Sequence, residues 1–345
     1  MRILFYSYPW SFQKKGGGEI QLLKTMEYLK KGGVDVKLFD QWSDKLTDYD
    51  ILHVFGSLKD NAGLIDVAKK NGLKVCVSPI FWTDIRRFGG ELGIRDKSVL
   101  LLHHITKSVL PIFPSGRRKV FALADLILPN SENEARQIKR YFAIGKNKFF
   151  VVPNGVEERF SEASADEFVR KYGIKDFILY AGRIEPRKNQ LNFIKAMKGF
   201  KGPDIVFVGD HTLEHKEYYD ACLREKSDNM IFLGPIDHDS SLLVSLYGAA
   251  KIFCLTSWFE TPGLAALEAA AAGKNIVITP YGSTKDYFGD LALYAYPHRP
   301  DDMRNKVGRA LEMPSDGRLQ RKVLHDYSWD NVAKKTSDAY RKVLS

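Results

Sequence analysis

The chain has 345 residues, 44% hydrophobic and 27% charged, with a net charge of +10. That length exceeds what one hydrophobic core usually serves, and the composition excludes disordered, collagen-like and disulfide-stapled chains, so two globular domains are expected. The basic charge is uneven: residues 1–160 hold 26 Lys and Arg against 17 Asp and Glu, and the remainder holds 26 against 25.

The opening "MRILFYSYPWSF" carries a short apolar run with no small-residue cleavage site, and reads as a first β-strand rather than a signal peptide. "KKGGGEIQ" follows, with Gly16 and Gly17 in a loop ahead of the helix "EIQLLKTMEYLKKGG", which Gly32-Gly33 stops. Lacking a third glycine at the right spacing and a ribose-reading acid, this loop departs from a dinucleotide fingerprint. Strands are expected at "VDVKLFD", "DILHVFG", "KVCVSPI", "LADLILPNS" and "FFVVPN". The apolar run "SVLLLHHITKSVLPIF" is interrupted by His103, His104 and Lys107, too polar for a membrane span and consistent with a helix. Ser131 and Glu134 form a capping-box pattern, and Asn154-Gly155 is turn chemistry near the junction between halves.

The rhythm then restarts, with strands expected at "FILYAGR", "DIVFVGD", "NMIFLGP", "KIFCLTS", "NIVITP" and "LALYAY". Short apolar strands alternating with helices imply an α/β fold of two doubly wound, Rossmann-like domains with parallel sheets covered on both faces. The boundaries are placed at 1–155 and 156–327. The closing stretch "DYSWDNVAKKTSDAYRKVL" is expected as one amphipathic helix, from about 328 to 345, returning to the first domain. Cys76, Cys222 and Cys254 show no CxxC spacing and read as reduced, buried thiols of a cytoplasmic protein, with no metal site implied. The basic first half suits an anionic partner such as a membrane surface or a phosphorylated acceptor; no nucleic-acid motif accompanies the charge.

Chemistry concentrates in "SWFETPGLAALEAAAAG", where Glu260 and Glu268 stand eight positions apart and the second is embedded among alanines. Thr261 is a candidate helix cap, Pro262 suits a first helical position, and Gly263 leaves backbone N–H groups bare where a helix start can bind phosphate. Glu268 lies one helical turn beyond Leu264 on the same face. Upstream, "YAGRIEPRKN" places Arg183 and Lys188 where a strand gives way to a loop.

Taken in order, "GGGE", "LADLILPNSENEA", "VPNGVEERF", "YAGRIEPRKN", "IFLGPI" and "FETPGLAALEAAAAGKNIVITP" resemble the family 4 retaining glycosyltransferases, across nearly the whole chain. The resemblance implies the GT-B fold, two facing Rossmann-like domains with a cleft between them, the first for the acceptor and the second for a nucleotide diphosphate-sugar. It implies that Gly263 and Leu264 meet the donor diphosphate and Glu268 the ribose, while Glu260, the first acid of the E-x7-E element, meets the sugar. Arg183 and Lys188 would neutralise the departing diphosphate without a metal, and Gly16 and Gly17 would approach the donor from the first domain. The expected activity is hexosyl transfer with retained configuration to a carbohydrate or lipid-linked acceptor, in surface glycan or glycolipid assembly. The setting would be the cytoplasm, peripheral to the inner membrane face. Members commonly carry a histidine after the fourth strand; this chain has Ser78, Pro79 and Ile80 there, with Trp82 and Asp84 following without an assigned role. A non-catalytic nucleotide-sugar-binding protein and a nucleotide-sugar epimerase of similar fold are the alternatives.

Overall fold

The computed structural model describes residues 1–14, 16–83 and 115–345; His103, His104 and Asp84 lie outside the described residues. The described chain divides into two units, one of residues 1–83, 115–155 and 327–345, the other of residues 156–326.

In the first unit, β1 (Arg2–Tyr6), β2 (Asp35–Leu38), β3 (Ile51–Phe55), β4 (Lys74–Ser78) and β5 (Leu126–Ile127) form a parallel sheet ordered β2-β1-β3-β4-β5. Its helices include α1 (Gly17–Lys31), α2 (Asn61–Lys70), α3 (Gly116–Leu123) and α4 (Glu132–Phe142). Strand residues alternate between two apolar layers, as the period of two requires. Leu4, Leu52, Val54, Val75 and Val77 pack with Ile65 and Val120, while Ile3, Phe5, Ile51, Phe55 and Cys76 pack with Leu22 and Leu29. Both faces are covered, which accounts for strands that are apolar throughout.

The second unit carries α5 (Asp166–Tyr172), β6 (Phe177–Ala181), α6 (Gln190–Met197), β7 (Ile205–Val208), α7 (Lys216–Glu225) and β8 (Met230–Phe232). It continues through α8 (Ser241–Ala249), β9 (Ala250–Leu255), α9 (Leu264–Ala271), β10 (Asn275–Ile278), α10 (Thr284–Phe288) and β11 (Leu293–Tyr294) to α11 (Pro300–Glu312) and α12 (Arg318–Tyr327). The parallel sheet is ordered β11-β10-β9-β6-β7-β8. From β6 the chain winds outward to β8, then crosses back so that β9 pairs with β6 on its other side. Winding reverses between these two strands, and in open α/β sheets such a switch point opens a ligand crevice at the strands' carboxyl ends.

The last helix, α13 (Trp329–Leu344), belongs to the first unit. This helix spans nearly the expected 328–345, but the first two residues of the closing stretch, Asp326 and Tyr327, end α12 instead, and Ser328 caps the new helix by accepting the Asn331 N–H at 3.4 Å. Gly155 packs against that new helix, where any Cβ would lie 2.5 Å from the Trp329 indole. Close packing, rather than turn geometry, is what requires glycine there. From the sheet, His53 holds α13 through Nδ1 to the Tyr340 hydroxyl at 2.6 Å, while its Nε2 lies 2.9 Å from Ser78 Oγ on β4. Burial pushes this imidazole down to about 3, so it is a neutral structural group.

"FFVVPN" is not a strand. Phe149 makes one isolated bridge to Ile127, although Phe150 and Val152 still donate to the carbonyls of Ile127 and Pro129 at 2.9 Å. β5 is two residues long and offers too short an edge for a ladder. The capping box also extends further than its pattern suggests. Ser131 Oγ accepts the Glu134 N–H at 3.0 Å, but the Glu134 carboxyl reaches past Ser131 to the N–H groups of Asn130 at 2.6 Å and Phe81 at 2.5 Å.

Candidate functional site

Arg183, Lys188, Glu260, Gly263, Leu264 and Glu268 all belong to the second unit, and Gly16 and Gly17 to the first. Five of the six follow β6 or β9, at the carboxyl ends of the two strands flanking the switch point.

The loop after β6 folds tightly. Gly182 leaves the strand at φ +150, and Gly209 stands so close that a Cβ there would lie 2.1 Å from the Gly182 carbonyl oxygen. Asn189 closes the loop in the left-handed region, which asparagine tolerates, with its side-chain amide donating to the Thr256 and Pro297 carbonyls at 2.9 Å. Buried Tyr180 donates to the Lys188 carbonyl at 2.5 Å. The result is a rigid mount for the Lys188 side chain.

Lys188 Nζ lies 2.7 Å from Glu260 Oε1, with side-chain exposures of 12% and 4%. Arg187 is 3.8 Å from the same oxygen, stacks its guanidinium over Phe259, and pairs with Glu185 at 2.7 Å. Arg183 is 3.8 Å from Glu185 and half-exposed. Burial works to raise the Glu260 carboxyl, but the charges of Lys188 and Arg187 outweigh it and hold the group below the usual carboxylate range. Burial is likewise the largest influence on Lys188, and holds its ammonium below the usual lysine range despite the partner.

Glu260 is fixed through its backbone as well. Its N–H donates to the Tyr281 carbonyl at 3.1 Å and its carbonyl accepts from Ser283 at 2.8 Å. Gly282, at φ +101, lets this happen: a Cβ there would sit 1.9 Å from the Glu260 carbonyl oxygen.

The helix after Glu260 begins later than its sequence suggests. Gly263, at φ +90 and without a side-chain cap, is the N-cap; Thr261 and Pro262, joined by a cis peptide bond, precede it. The turn needs a positive φ that threonine and proline do not supply, so helix entry waits for the glycine. A Cβ on Gly263 would meet Glu260 Oε2 at 3.3 Å, so the same residue also leaves space beside the acid. The first backbone N–H groups of α9 have no acceptor within the helix.

Glu268, one turn past Leu264, is 7% exposed. Its Oε2 accepts from the buried Tyr247 hydroxyl at 2.7 Å, and its Oε1 lies 3.0 Å from His238 Nε2. The other imidazole nitrogen, Nδ1, lies 3.3 Å from Asp239 Oδ1. Among the described residues, Glu157, His238 and Asp239 alone gather three atoms able to hold a metal. Arg159 pairs with Glu157 at 3.0 Å and both ring nitrogens of His238 face carboxylates, which ties the cluster into an ion-pair network.

In the first unit, Gly16 caps α1 and Gly17 begins it, so the expected loop is a helix start. Glu19 accepts the Gly16 N–H at 2.8 Å and the Tyr8 hydroxyl at 3.0 Å. Ser78, Pro79 and Ile80 occupy the segment where a histidine is expected; Ile80, at φ +46, a strained conformation for a β-branched residue, is 39% exposed. Its loop is held by the Phe81 contact to Glu134 and by Thr83 N–H donating to Gln137 at 3.0 Å. Trp82 is half-buried in the same loop.

Arg187 and Glu185 lie within "GRIEPRKN" and were legible as charges, but their pairing was not. Nothing in the spacing signals His238, Tyr247 or Gly282, each of which is brought to the acids by a crossover of the sheet.

Residues 161–325, within the second unit, match the family model described as "Glycosyl transferases group 1". An uncharacterized glycosyltransferase of Methanocaldococcus jannaschii is 27% identical over 62% of this chain and 59% of its own length. The D-inositol 3-phosphate glycosyltransferase of Acidothermus cellulolyticus is 28% identical over 67% of this chain and 56% of its own. The match thus spans less than two thirds of these relatives. Among solved structures, sucrose-phosphate synthase from Thermosynechococcus elongatus superposes with a TM-score of 0.79 at 17% identity, covering 99% of both chains. Anabaena HepE, solved with UDP and glucose, gives 0.72 at 15%, again over 99% of both. The fold is that of the GT-B glycosyltransferases, with two Rossmann-like domains.

Proposed function

We propose that this chain is a retaining glycosyltransferase of the family 4 type, moving a hexose from a nucleotide diphosphate-sugar to a hydroxyl of a carbohydrate or lipid-linked acceptor. The observation that carries the proposal is the buried Lys188–Glu260 pair at the switch point, beside the amino terminus of α9. A diphosphate needs fixed positive charge, and Arg183, Lys188 and the α9 N–H groups of Gly263 and Leu264 supply it without a metal. UDP and UDP-glucose in the HepE structures support a donor of this class.

Each residue then has a task. Glu268 accepts the ribose hydroxyls, as acids do in dinucleotide-binding domains. Glu260, held as a carboxylate by Lys188, stabilises the positive charge that develops on the sugar as its bond to phosphate breaks. The departing diphosphate oxygen takes the acceptor proton on the face it leaves, so configuration is retained and no side-chain base is required. That chemistry tolerates the absence of a histidine from Ser78-Pro79-Ile80. The basic first half suits an acceptor at an anionic membrane surface, and a peripheral cytoplasmic setting in glycan or glycolipid assembly follows. No helix among the described residues is long and apolar enough to cross a membrane.

The test is melting of the protein with UDP, GDP and ADP and then their sugars, followed by NMR of the product anomer with and without EDTA. Stabilisation by one diphosphate, at about 2.7 kcal/mol for a hundredfold excess over Kd, with metal-independent turnover and retained configuration, is the expected result. Inverted product, or turnover lost in EDTA and restored by manganese, overturns the assignment. Conversion of donor alone to a new nucleotide sugar would make the protein an epimerase.

A further inference from the structure

The Glu268 carboxylate is held from two sides by groups that differ in kind. Tyr247, on α8, is buried and hydroxylic, and ties Oε2 at 2.7 Å. His238, in the loop ahead of α8, is partly exposed and titratable, and meets Oε1 at 3.0 Å. We propose that His238 is a positioning residue for nucleotide recognition: as an imidazolium spanning Asp239 and Glu268, it fixes the carboxylate toward the ribose and makes nucleotide affinity depend on pH. The proposal rests on the reading of Glu268 as the ribose acid.

The imidazole faces Glu268 from α9, Asp239 from its own loop and Glu157 from the segment after the first unit. The Arg159 guanidinium is spent on Glu157 and on the main-chain carbonyl of His238 at 2.7 Å. Phe160 meets the ring edge-on at 6.5 Å. A neutral imidazole carries one N–H and serves one of its two flanking carboxylates; only the imidazolium donates to both. Burial works against that charge, but the hydrogen bond and charge of Glu268, aided by Asp239 and Glu157, prevail and raise the group above its ordinary value.

The consequence concerns what a nucleotide covers. Glu268 is largely buried before any ligand binds, and a ribose closing over it removes more of its solvent. An adjacent cation offsets that desolvation, and two anchors stop the carboxylate from rotating while its remaining lone pairs accept hydroxyls. Once pH passes the His238 ionisation, the cation is lost and binding weakens. Tyr247 contributes orientation but, with its hydroxyl proton held well above the ordinary range, no pH dependence.

Calorimetry of the full chain with UDP, GDP and ADP selects the tightest diphosphate, and its 2′-deoxy form reports the ribose contact. Between about pH 7 and about pH 9 the wild type should lose up to about tenfold in affinity, the scale of one charge-assisted hydrogen bond. His238→Gln should bind more weakly at the lower pH, show a flat profile, and discriminate less between ribose and 2′-deoxyribose. Tyr247→Phe should lose discrimination but keep the slope. Parallel pH profiles and equal discrimination in the wild type and His238→Gln overturn the proposal while leaving the ribose acid in place. Absence of binding by all three diphosphates overturns the Glu268 reading and the proposal with it.

Discussion

Lys188 Nζ and Glu260 Oε1 sit 2.7 Å apart, the lysine on the loop after β6 and the acid on the loop after β9, both largely out of solvent. The pair joins the two strands between which the sheet reverses its winding. Each partner prevents the other from being a lone buried charge, and each is aimed where the proposed donor changes its own charge.

Lys188→Met therefore has two separable effects. It leaves the buried Glu260 carboxylate with the more distant Arg187, at 3.8 Å, as its compensating cation, an expected cost below the about 3–5 kcal/mol of a fully unpaired buried charge, and it removes a cation from the diphosphate, an expected loss of about 10²–10³ in turnover. Combining it with Glu260→Gln should recover much of the melting temperature but none of the activity. Recovery of activity in the double variant would show that the pair is structural only.

Gly282→Ala tests placement without altering any reacting group. The added Cβ would meet the Glu260 carbonyl oxygen at 1.9 Å, and φ +101 is unfavourable for alanine in its own right. The backbone of Glu260 must move, and a displacement of about 1 Å in a reacting group is worth on the order of 10² in rate. Steady-state rates should show kcat falling by about that factor with nucleotide affinity little changed. A fully active variant would mean that the Glu260 position is not critical.

Much of this was readable beforehand, and the exceptions have physical causes. Parallel strands buried on both faces announce themselves as apolar runs, so all eleven strand positions and both sheets follow from runs such as "DILHVFG" and "FILYA". A further run, "FFVVPN", failed because apolarity does not report whether an edge such as β5 is long enough to receive it. Thr261 and Pro262 looked like a helix start because capping preferences are local, whereas the positive φ that decides the entry belongs to Gly263. The closing stretch hid Ser328, an N-cap inside an unbroken amphipathic period. Glu260 and Glu268 stood out as acids in apolar company. Their partners Lys188, Tyr247 and His238 are 72, 21 and 30 residues away, distances at which no spacing rule operates.

Glu134 offers a stability test in the first unit. Its buried carboxyl is pushed up to about 7 by desolvation, although the Phe81 and Asn130 N–H groups pull the other way. The folded state therefore holds a proton that the unfolded chain releases near 4.5, and the contribution of Glu134, present in full below that value, is lost as pH rises through about 7. Glu134→Ala strands two buried N–H donors, an expected loss of about 2–4 kcal/mol. The gap in melting temperature between wild type and variant should be wider at about pH 5 than at about pH 8. A gap that widens with pH would mean that the carboxyl is ionised in the folded protein.

The most direct test of the account is the division of labour between the two acids, read by calorimetry with the nucleoside diphosphate beside steady-state rates. A ribose contact is present in ground and transition states alike, so Glu268→Ala should weaken diphosphate and sugar donor equally, by roughly ten- to a hundredfold. A contact to developing charge acts mainly in the transition state, so Glu260→Gln should leave diphosphate affinity nearly intact while kcat falls. Diphosphate binding abolished by Glu260→Gln and spared by Glu268→Ala would reverse the assignments, and two variants indistinguishable from wild type would contradict the account.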